Sequence, residues 1–253
     1  MGFFSDTPNK LLLTEFDPMH IGAIAFFTIC IALIIAFKNI ILNAKYEKLL
    51  RYSITFLAIA FEMSFHIWTA LTQDATFLKD FLPLDLCAIS LYLCIALMLT
   101  KSKWVFKLVY FYSLGAMVSL LVPDLGGYGV DHFRYYHYFY VHGFIMLTSM
   151  YFVFVHNYKI VLKDLIRATV LLIFIAGFVM AVDLVVGANY MFLMHKPHVS
   201  SPLDLFGPWP EYVYALVFIT IAVFIVAYLP WIFVNLRKKP KSLDAEDNKK
   251  MAA

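Results

Sequence analysis

The residues best suited to covalent chemistry in this sequence are a cysteine, Cys87, and two histidines, His66 and His142. A cysteine attacks as its thiolate, so it needs a base within hydrogen-bond reach, which an imidazole can supply. Cys87 lies in the stretch LPLDLCAIS and His142 in YVHGFIM, on segments that we expect to be neighbouring helices. Cys87 would be the thiol nucleophile, and either His142 or His66 could serve as its general base. The alternative for Cys87 is a small buried side chain, a common environment for free cysteine.

Glu62 and His66 lie four residues apart and so share one face of a helix. A carboxylate beside an imidazole orients the ring and stabilises its protonated form, as in acid–base pairs. The same spacing also allows an intrahelical hydrogen bond that makes two polar residues tolerable. Both interpretations stay open.

Two further details bear on the candidate pair. His142 precedes Gly143, which permits close approach of a helix or ligand, but it could also be a core histidine bonded to Tyr138 one turn away. Asp85 projects about 200° from Cys87 around a helix. It therefore cannot orient the thiol, and we expect it at the mouth of the helix.

The composition predicts a protein that crosses a membrane several times. The chain of 253 residues is 62% hydrophobic and 15% charged, with a mean hydropathy of +0.79, whereas soluble domains are about 25% charged. Runs such as IGAIAFFTICIALIIAF approach the roughly 20 apolar residues that span a bilayer. We predict an all-α polytopic membrane protein with seven transmembrane helices in one bundle. The predicted spans are 19–37, 52–72, 83–99, 104–122, 135–155, 168–187 and 211–233.

The lysines and arginines predict the orientation. Sixteen of the 20 fall in alternate connections and at the carboxyl end, and the other four in the remaining connections. Because cytoplasmic loops carry an excess of basic residues, the amino terminus should face outside. The predicted parts are an extracytoplasmic segment 1–18, a membrane domain 19–236 and a polar, disordered cytoplasmic tail 237–253. The net charge of +3 is spread between spans, so no nucleic-acid partner is expected.

Depth along the predicted helices, at about 1.5 Å per residue, brings the ionisable groups to a common level. Cys87 lies about 6 Å below the outer boundary, His66 about 9 Å and His142 about 10 Å. Charged groups inside a bilayer usually face a bundle interior or a water-filled cavity. We therefore predict one polar cavity open to the outer leaflet. Its supporting residues would be Glu62, His66, Asp183, Asp124, Asp85 and Ser90, and its substrate or interface contacts Asn189, Tyr190, Trp209 and Tyr138.

No phosphate loop, zinc signature or metal cluster of recognisable spacing is found, so no metal is predicted. A site formed by His66, His137 and His142 has no spacing to support it. His132 and His137 lie in the aromatic run HFRYYHYFYVH, which is typical of a membrane-interface belt.

Five motifs in order carry a resemblance to a known family. LPLDLCAISLYL, LLVPDL, FYVHGF, NYMFLMHKP and LDLFGPWPEY resemble the YwaF-like family of bacterial integral membrane proteins, which is grouped with the eukaryotic transmembrane-protein-164-like proteins. The resemblance covers roughly residues 50–233. It implies a protein of the bacterial cell membrane. The eukaryotic relatives are cysteine-dependent phospholipid acyltransferases, which implies Cys87 and His142 as the key residues here.

The resulting hypothesis is a lipid acyltransferase, transacylase or related acyl hydrolase. Its partner would be a membrane phospholipid or lysophospholipid. Acyl transfer from an existing lipid needs no cytosolic thioester, so no cofactor is expected. The alternatives are a proton-linked transporter, in which Glu62, His66 and Asp183 form a relay, and a lipid-binding or sensor protein. The absence of visible inverted repeats counts against transport, and the sequence does not define the oligomeric state.

Overall fold

Seven α-helices and two short 3-10 turns make up the regular structure of the part described. In this computed structural model the described residues are 2–6, 16–72, 79, 81–197 and 202–236. Each predicted span overlaps one helix, which confirms the all-α prediction for those residues. The predicted tail 237–253 lies outside the described residues. The 3-10 turns are Tyr190–Phe192 and Pro202–Leu205. The helices are α1 Pro18–Asn43, α2 Glu47–Thr72, α3 Leu86–Thr100, α4 Lys103–Leu121, α5 Phe133–Phe154, α6 Leu162–Val186 and α7 Glu211–Leu236.

Several helix ends carry the residues expected to start or stop a helix. The Asp17 side chain accepts a hydrogen bond from the His20 amide at 2.8 Å, and Pro18 occupies the first turn of α1. Ser102 caps α4 in the same way. Gly187 ends α6 with a φ of 69°, a left-handed conformation that glycine adopts without steric cost. Local sequence therefore fixes where these spans begin and end.

Five of the helices, α1, α2, α4, α6 and α7, are long and apolar enough to cross a membrane, so the chain is an integral membrane protein. Helix α3 has 15 residues and is about 22 Å long. Helix α5 has 22 residues but is rich in tyrosine and histidine.

The polarity of α5 follows from its central position. It packs against α1, α2, α3 and α4, and fourteen of its 22 residues are buried. By contrast, two of the 26 residues of α1 are buried. A helix surrounded by protein can carry polar side chains that bond to its neighbours, whereas a helix facing lipid must be apolar. Helices α6 and α7 pack against each other, and α6 also packs against α4.

The helices alternate in direction, so the bundle has two ends. The Cys87 end contains the start of α3 and α5 and the end of α4 and α6. The Lys101 end contains the turns between α1 and α2, between α3 and α4, and between α5 and α6. Residues 2–6 pack against the Cys87 end, where Trp68 donates to the Phe4 carbonyl at 3.2 Å and Phe133 donates to the Phe3 carbonyl at 2.9 Å.

Candidate functional site

Cys87 is the second residue of α3 and is half-buried at the Cys87 end. Its sulfur lies 3.9 Å from the Ser119 hydroxyl, near the last turn of α4. Helices α3 and α4 pack closely enough for this contact because Gly115 has no side chain: a Cβ there would lie 3.3 Å from Leu86 Cδ2. Cys30 and Cys94 are also free thiols, and Cys94 is fully buried.

The first backbone amides of α3 surround the thiol without hydrogen-bond acceptors among the described residues. Asp85 is the capping residue but makes no side-chain cap, and Ile89 is the first amide that bonds back to the Asp85 carbonyl. The amides of Leu86, Cys87 and Ala88 donate to no acceptor in the described part of the chain. Free amides at a helix start bind anions and stabilise negative charge. Cys87 therefore lies beside donors that could stabilise an oxyanion formed at a bound ester.

His142 is buried on α5, one turn below Tyr138. Its Nδ1 lies 2.8 Å from the Tyr138 carbonyl, and because a carbonyl only accepts, Nδ1 carries the proton. Nε2 is then the basic nitrogen, and it bonds to no described residue. The core contact to Tyr138 that the sequence left open is therefore present, and it also fixes the tautomer that a general base requires.

Tyr138 connects the histidine to the surroundings of the thiol. Its ring lies 4.1 Å from the His142 ring, centroid to centroid. Its hydroxyl donates to the Ser119 carbonyl at 2.9 Å, and the Ser119 side chain contacts Cys87. No hydrogen bond joins Cys87 directly to a histidine among the residues described. The two candidate reactants belong to one cluster of contacts, with Tyr138 and Ser119 as the linking residues.

A second polar group lies on the α2 side of α5. The Glu62 carboxylate is 3.1 Å from His137 Nε2 and 3.4 Å from His66 Nε2. The Nδ1 atoms of both histidines are buried, and neither has a partner in the described part. His137 also stacks on Phe65, with ring centroids 4.5 Å apart, and the Arg134 guanidinium lies 4.6 Å from the centre of that ring. The interface-belt interpretation of His137 does not match this buried position.

The remaining predicted residues hold the segment after α6. Asp183 and Asp85 accept the amides of Tyr190 and Met191, at 3.1 Å and 2.9 Å. Asn189 accepts the amides of Met194 and His195. This segment therefore rests on the start of α3, close to Cys87. The other anchors are the Tyr190 hydroxyl, which accepts from the Leu82 amide, and the Trp209 indole, which donates to the Leu193 carbonyl.

Two predicted residues make only local bonds. Ser90 donates to the Leu86 carbonyl at 2.6 Å, one turn back in α3. Asp124 accepts from the Gly126 amide at 2.9 Å, which closes the turn after α4. Both help to shape the Cys87 end without facing the thiol through a hydrogen bond.

By their hydrogen bonds and contacts, the described polar residues divide into a helix group and a loop group. The helix group contains Cys87, Ser119, Tyr138 and His142, with the Glu62 group beside it. The loop group contains Asp183, Asn189, Tyr190 and Trp209, and Asp85 joins the two. Sequence reasoning missed Ser119, for which no sequence signal stands out, and the partnership of His137 with Glu62, which the burial of α5 explains.

Within the described ranges, no three side chains of the His, Cys, Asp or Glu types are placed to hold a metal ion.

Comparison with known proteins supplies the family. No curated protein and no solved structure matches the chain. The model of the TMEM164 family matches residues 13–228, which include all seven helices except the end of α7. The matched residues include the helix group, the Glu62 group and the loop group, and the chain belongs to the TMEM164 family.

Proposed function

We propose that this protein is a membrane-embedded lipid acyltransferase that uses Cys87 as the nucleophile and His142 as the general base. The observation that carries the proposal is the first turn of α3, where Cys87 lies among backbone amides that have no acceptor in the described part of the chain. A thiol beside free amides is suited to acyl transfer, because the same donors stabilise the tetrahedral oxyanion. The tautomer of His142 supports the assignment, since Nε2 is left free to accept a proton.

The proposed reaction has two balanced steps. Cys87 passes its proton to His142 Nε2, and the sulfur attacks the ester carbonyl of a phospholipid. The ester C–O bond breaks, the lysophospholipid oxygen takes the proton from His142, and the acyl group remains on Cys87 as a thioester. A hydroxyl of a second lipid then attacks the thioester while His142 takes its proton. The C–S bond breaks, and the thiolate regains a proton from His142.

The Cys87–His142 bond is proposed for the lipid-bound protein. Catalytic hydrogen bonds are often long or absent without substrate and form in the complex. Tyr138 contacts the His142 ring directly and Ser119 by hydrogen bond. A movement of the Tyr138 side chain on lipid binding would therefore shift His142 and, through Ser119, the surroundings of Cys87.

The orientation forms part of the proposal. All seven helices would cross a bacterial cell membrane, with the Cys87 end outside and the Lys101 end in the cytoplasm. The basic residues of the described turns support this, since Lys38, Lys45, Lys48, Lys101 and Lys103 all lie at the Lys101 end. The thiol would then meet acyl esters of the outer leaflet.

Lipid remodelling by the purified protein tests the proposal. With a phospholipid donor labelled in its acyl chain and a lysophospholipid acceptor, we expect Cys87→Ala to abolish transfer. His142→Gln should lower the rate by about 10²- to 10⁴-fold, the usual contribution of a general base. Cys30→Ala is the matched control and should leave the rate unchanged. Full transfer by both Cys87→Ala and His142→Gln would contradict the proposal.

A proton-linked transporter is the second candidate, because one carboxylate is shared by two histidines. The unpartnered Nδ1 atoms of His66 and His137 give the Glu62 group places to take up protons. In that case Glu62→Gln would abolish pH-dependent uptake into vesicles while Cys87→Ala left it intact. The acyltransferase proposal predicts that Cys87→Ala is the damaging change.

A further inference from the structure

Two cavities meet at the Lys101 end, far from Cys87 along the bundle. A polar cavity of about 390 Å³ is lined by Lys103, Lys107, His156 and Lys159. An apolar cavity of about 450 Å³ is lined by Leu108, Val170, Leu171 and Phe174, with Arg167 at its side. Lys107 lines both cavities, so they adjoin at α4, and we refer to the two together as the groove.

The charge of this groove favours an anion. Its lining contains four basic side chains, Lys103, Lys107, Lys159 and Arg167, and one acidic side chain, Asp164. Asp164 is buried and pairs with Lys107 at 2.8 Å. Lys103 and Arg167 are exposed at the groove and available to a ligand. Lysine and arginine bind phosphate groups through charge-assisted hydrogen bonds.

The apolar half of the groove favours a lipid over a soluble anion. Val170 is 46% exposed and Phe174 is 73% exposed, and both lie on α6, a helix suited to face the bilayer. A cavity that is basic at the membrane end and apolar along the helix matches a molecule with an anionic head and an acyl chain. Basic pockets between transmembrane helices on the cytoplasmic side bind lipid head groups in this way.

We infer that this groove binds an anionic phospholipid, with its phosphate at Lys103, Lys107 and Arg167 and one acyl chain along Val170, Leu171 and Phe174. The site is separate from the Cys87 site and does not depend on the acyltransferase proposal. It would hold a resident lipid against α4 and α6 at the end opposite the thiol.

Lipid retention measured by native mass spectrometry tests this inference. The full-length protein in detergent is titrated with phosphatidylglycerol or with phosphatidylcholine of identical acyl chains. We expect preferential retention of phosphatidylglycerol. The double variant Lys103→Gln/Arg167→Gln should weaken it by about 20- to 30-fold, since each basic residue near an anionic lipid surface contributes about fivefold. The Lys107–Asp164 pair is left intact so that the fold is preserved.

The controls are matched in charge and in position. Lys45→Gln/Lys48→Gln removes two exposed charges from the same end, each beside a tyrosine ring as Lys103 is, and should leave retention unchanged. Val170→Trp should fill the apolar cavity and lower retention, whereas Val185→Trp, 85% exposed and outside the cavity, should not.

Three results would overturn the inference. The first is equal retention of the two lipids, and the second is an equal loss in the Lys45/Lys48 control. The third is displacement of phosphatidylglycerol by millimolar inorganic phosphate together with unchanged retention by Val170→Trp. That last result would indicate a site for a soluble anion.

Discussion

Removal of the Glu62 carboxylate should destabilise the protein through the two histidines that it binds. In Glu62→Ala, His137 Nε2 loses its hydrogen-bond acceptor and His66 Nε2 loses a carboxylate 3.4 Å away, and their Nδ1 atoms already lack a partner among the described residues. A buried polar group left without a hydrogen bond costs about 1–3 kcal/mol. The His137 side chain is 8% exposed and the His66 side chain 21% exposed. We therefore assign about 3 kcal/mol to His137 and about 1 kcal/mol to His66.

The total of about 4 kcal/mol corresponds to a decrease of about 8–16 °C in melting temperature, at roughly 2–4 °C per kcal/mol for a chain of this size. Glu62→Gln should lower the free energy of unfolding by about half as much as Glu62→Ala. Its amide oxygen still accepts from one histidine, but its NH₂ group requires the other histidine to place its proton on the unpartnered Nδ1. The order of stability should be wild type, then Gln, then Ala.

Thermal unfolding in detergent, followed by intrinsic fluorescence, measures this order. Met63→Ala is the matched control, because Met63 is the next residue on α2 and is 49% exposed. If Glu62→Ala melted within about 2 °C of Met63→Ala, the Glu62–histidine bonds would contribute little and our reasoning on the group would be refuted.

Three further predictions follow from other contacts. Gly143→Ala should lower the free energy of unfolding by about 1–3 kcal/mol, because the added Cβ would overlap the Phe27 ring. A Cβ at Gly177 meets open space, so Gly177→Ala should be neutral or stabilising in the same melting assay. Glu47→Ala should lower the free energy of unfolding by about 3–5 kcal/mol, because Arg51, whose side chain is 5% exposed, loses its counter-charge. The double variant Glu47→Ala/Arg51→Met should recover much of that stability. If it recovered none, the importance of the pair would be contradicted. His132 donates from Nε2 to the Ser5 carbonyl and accepts the Arg134 amide at Nδ1, and burial lowers its pKa. The stabilisation that neutral His132 provides should be complete above about pH 6.5, the ordinary pKa of histidine. It should be lost as the pH falls through the lower pKa that His132 has in the folded protein. Hydrogen exchange at residues 2–6, corrected for intrinsic rates, should rise on acidification in the wild type and less so in His132→Asn, which keeps a capping acceptor.

The positions of the helices were predictable because hydropathy and helix ends are local properties. The span predicted at 83–99 corresponds to α3, and its first turn contains Cys87 as expected. Asp85 was expected at the helix mouth, and it is the capping residue there. These conclusions need only the helical repeat and the length of an apolar run.

Partners between helices were less predictable because they depend on which helices are neighbours. The predicted depth of Asp183 was compatible with a place beside Glu62, yet α6 packs against α4 and α7, whereas α2 packs against α5. Asp183 therefore serves the Tyr190 turn. His137 looked like an interface residue because its neighbours are aromatic, and only the central position of α5 explains its burial. The match to the family likewise gives membership without locating a partner for the thiol.

Direct detection of an acyl group on Cys87 tests the central claim most directly. The purified protein is incubated with a phospholipid that carries a labelled acyl chain, without a lysolipid acceptor, and the peptides are analysed by mass spectrometry. We predict a hydroxylamine-sensitive acyl group on Cys87, absent from Cys30 and Cys94 and lost in Cys87→Ala. In a second incubation a lysolipid acceptor is added. The claim would be contradicted if the label reached the lysolipid while Cys87 stayed unmodified at every time point, and if Cys87→Ala transferred it at the same rate.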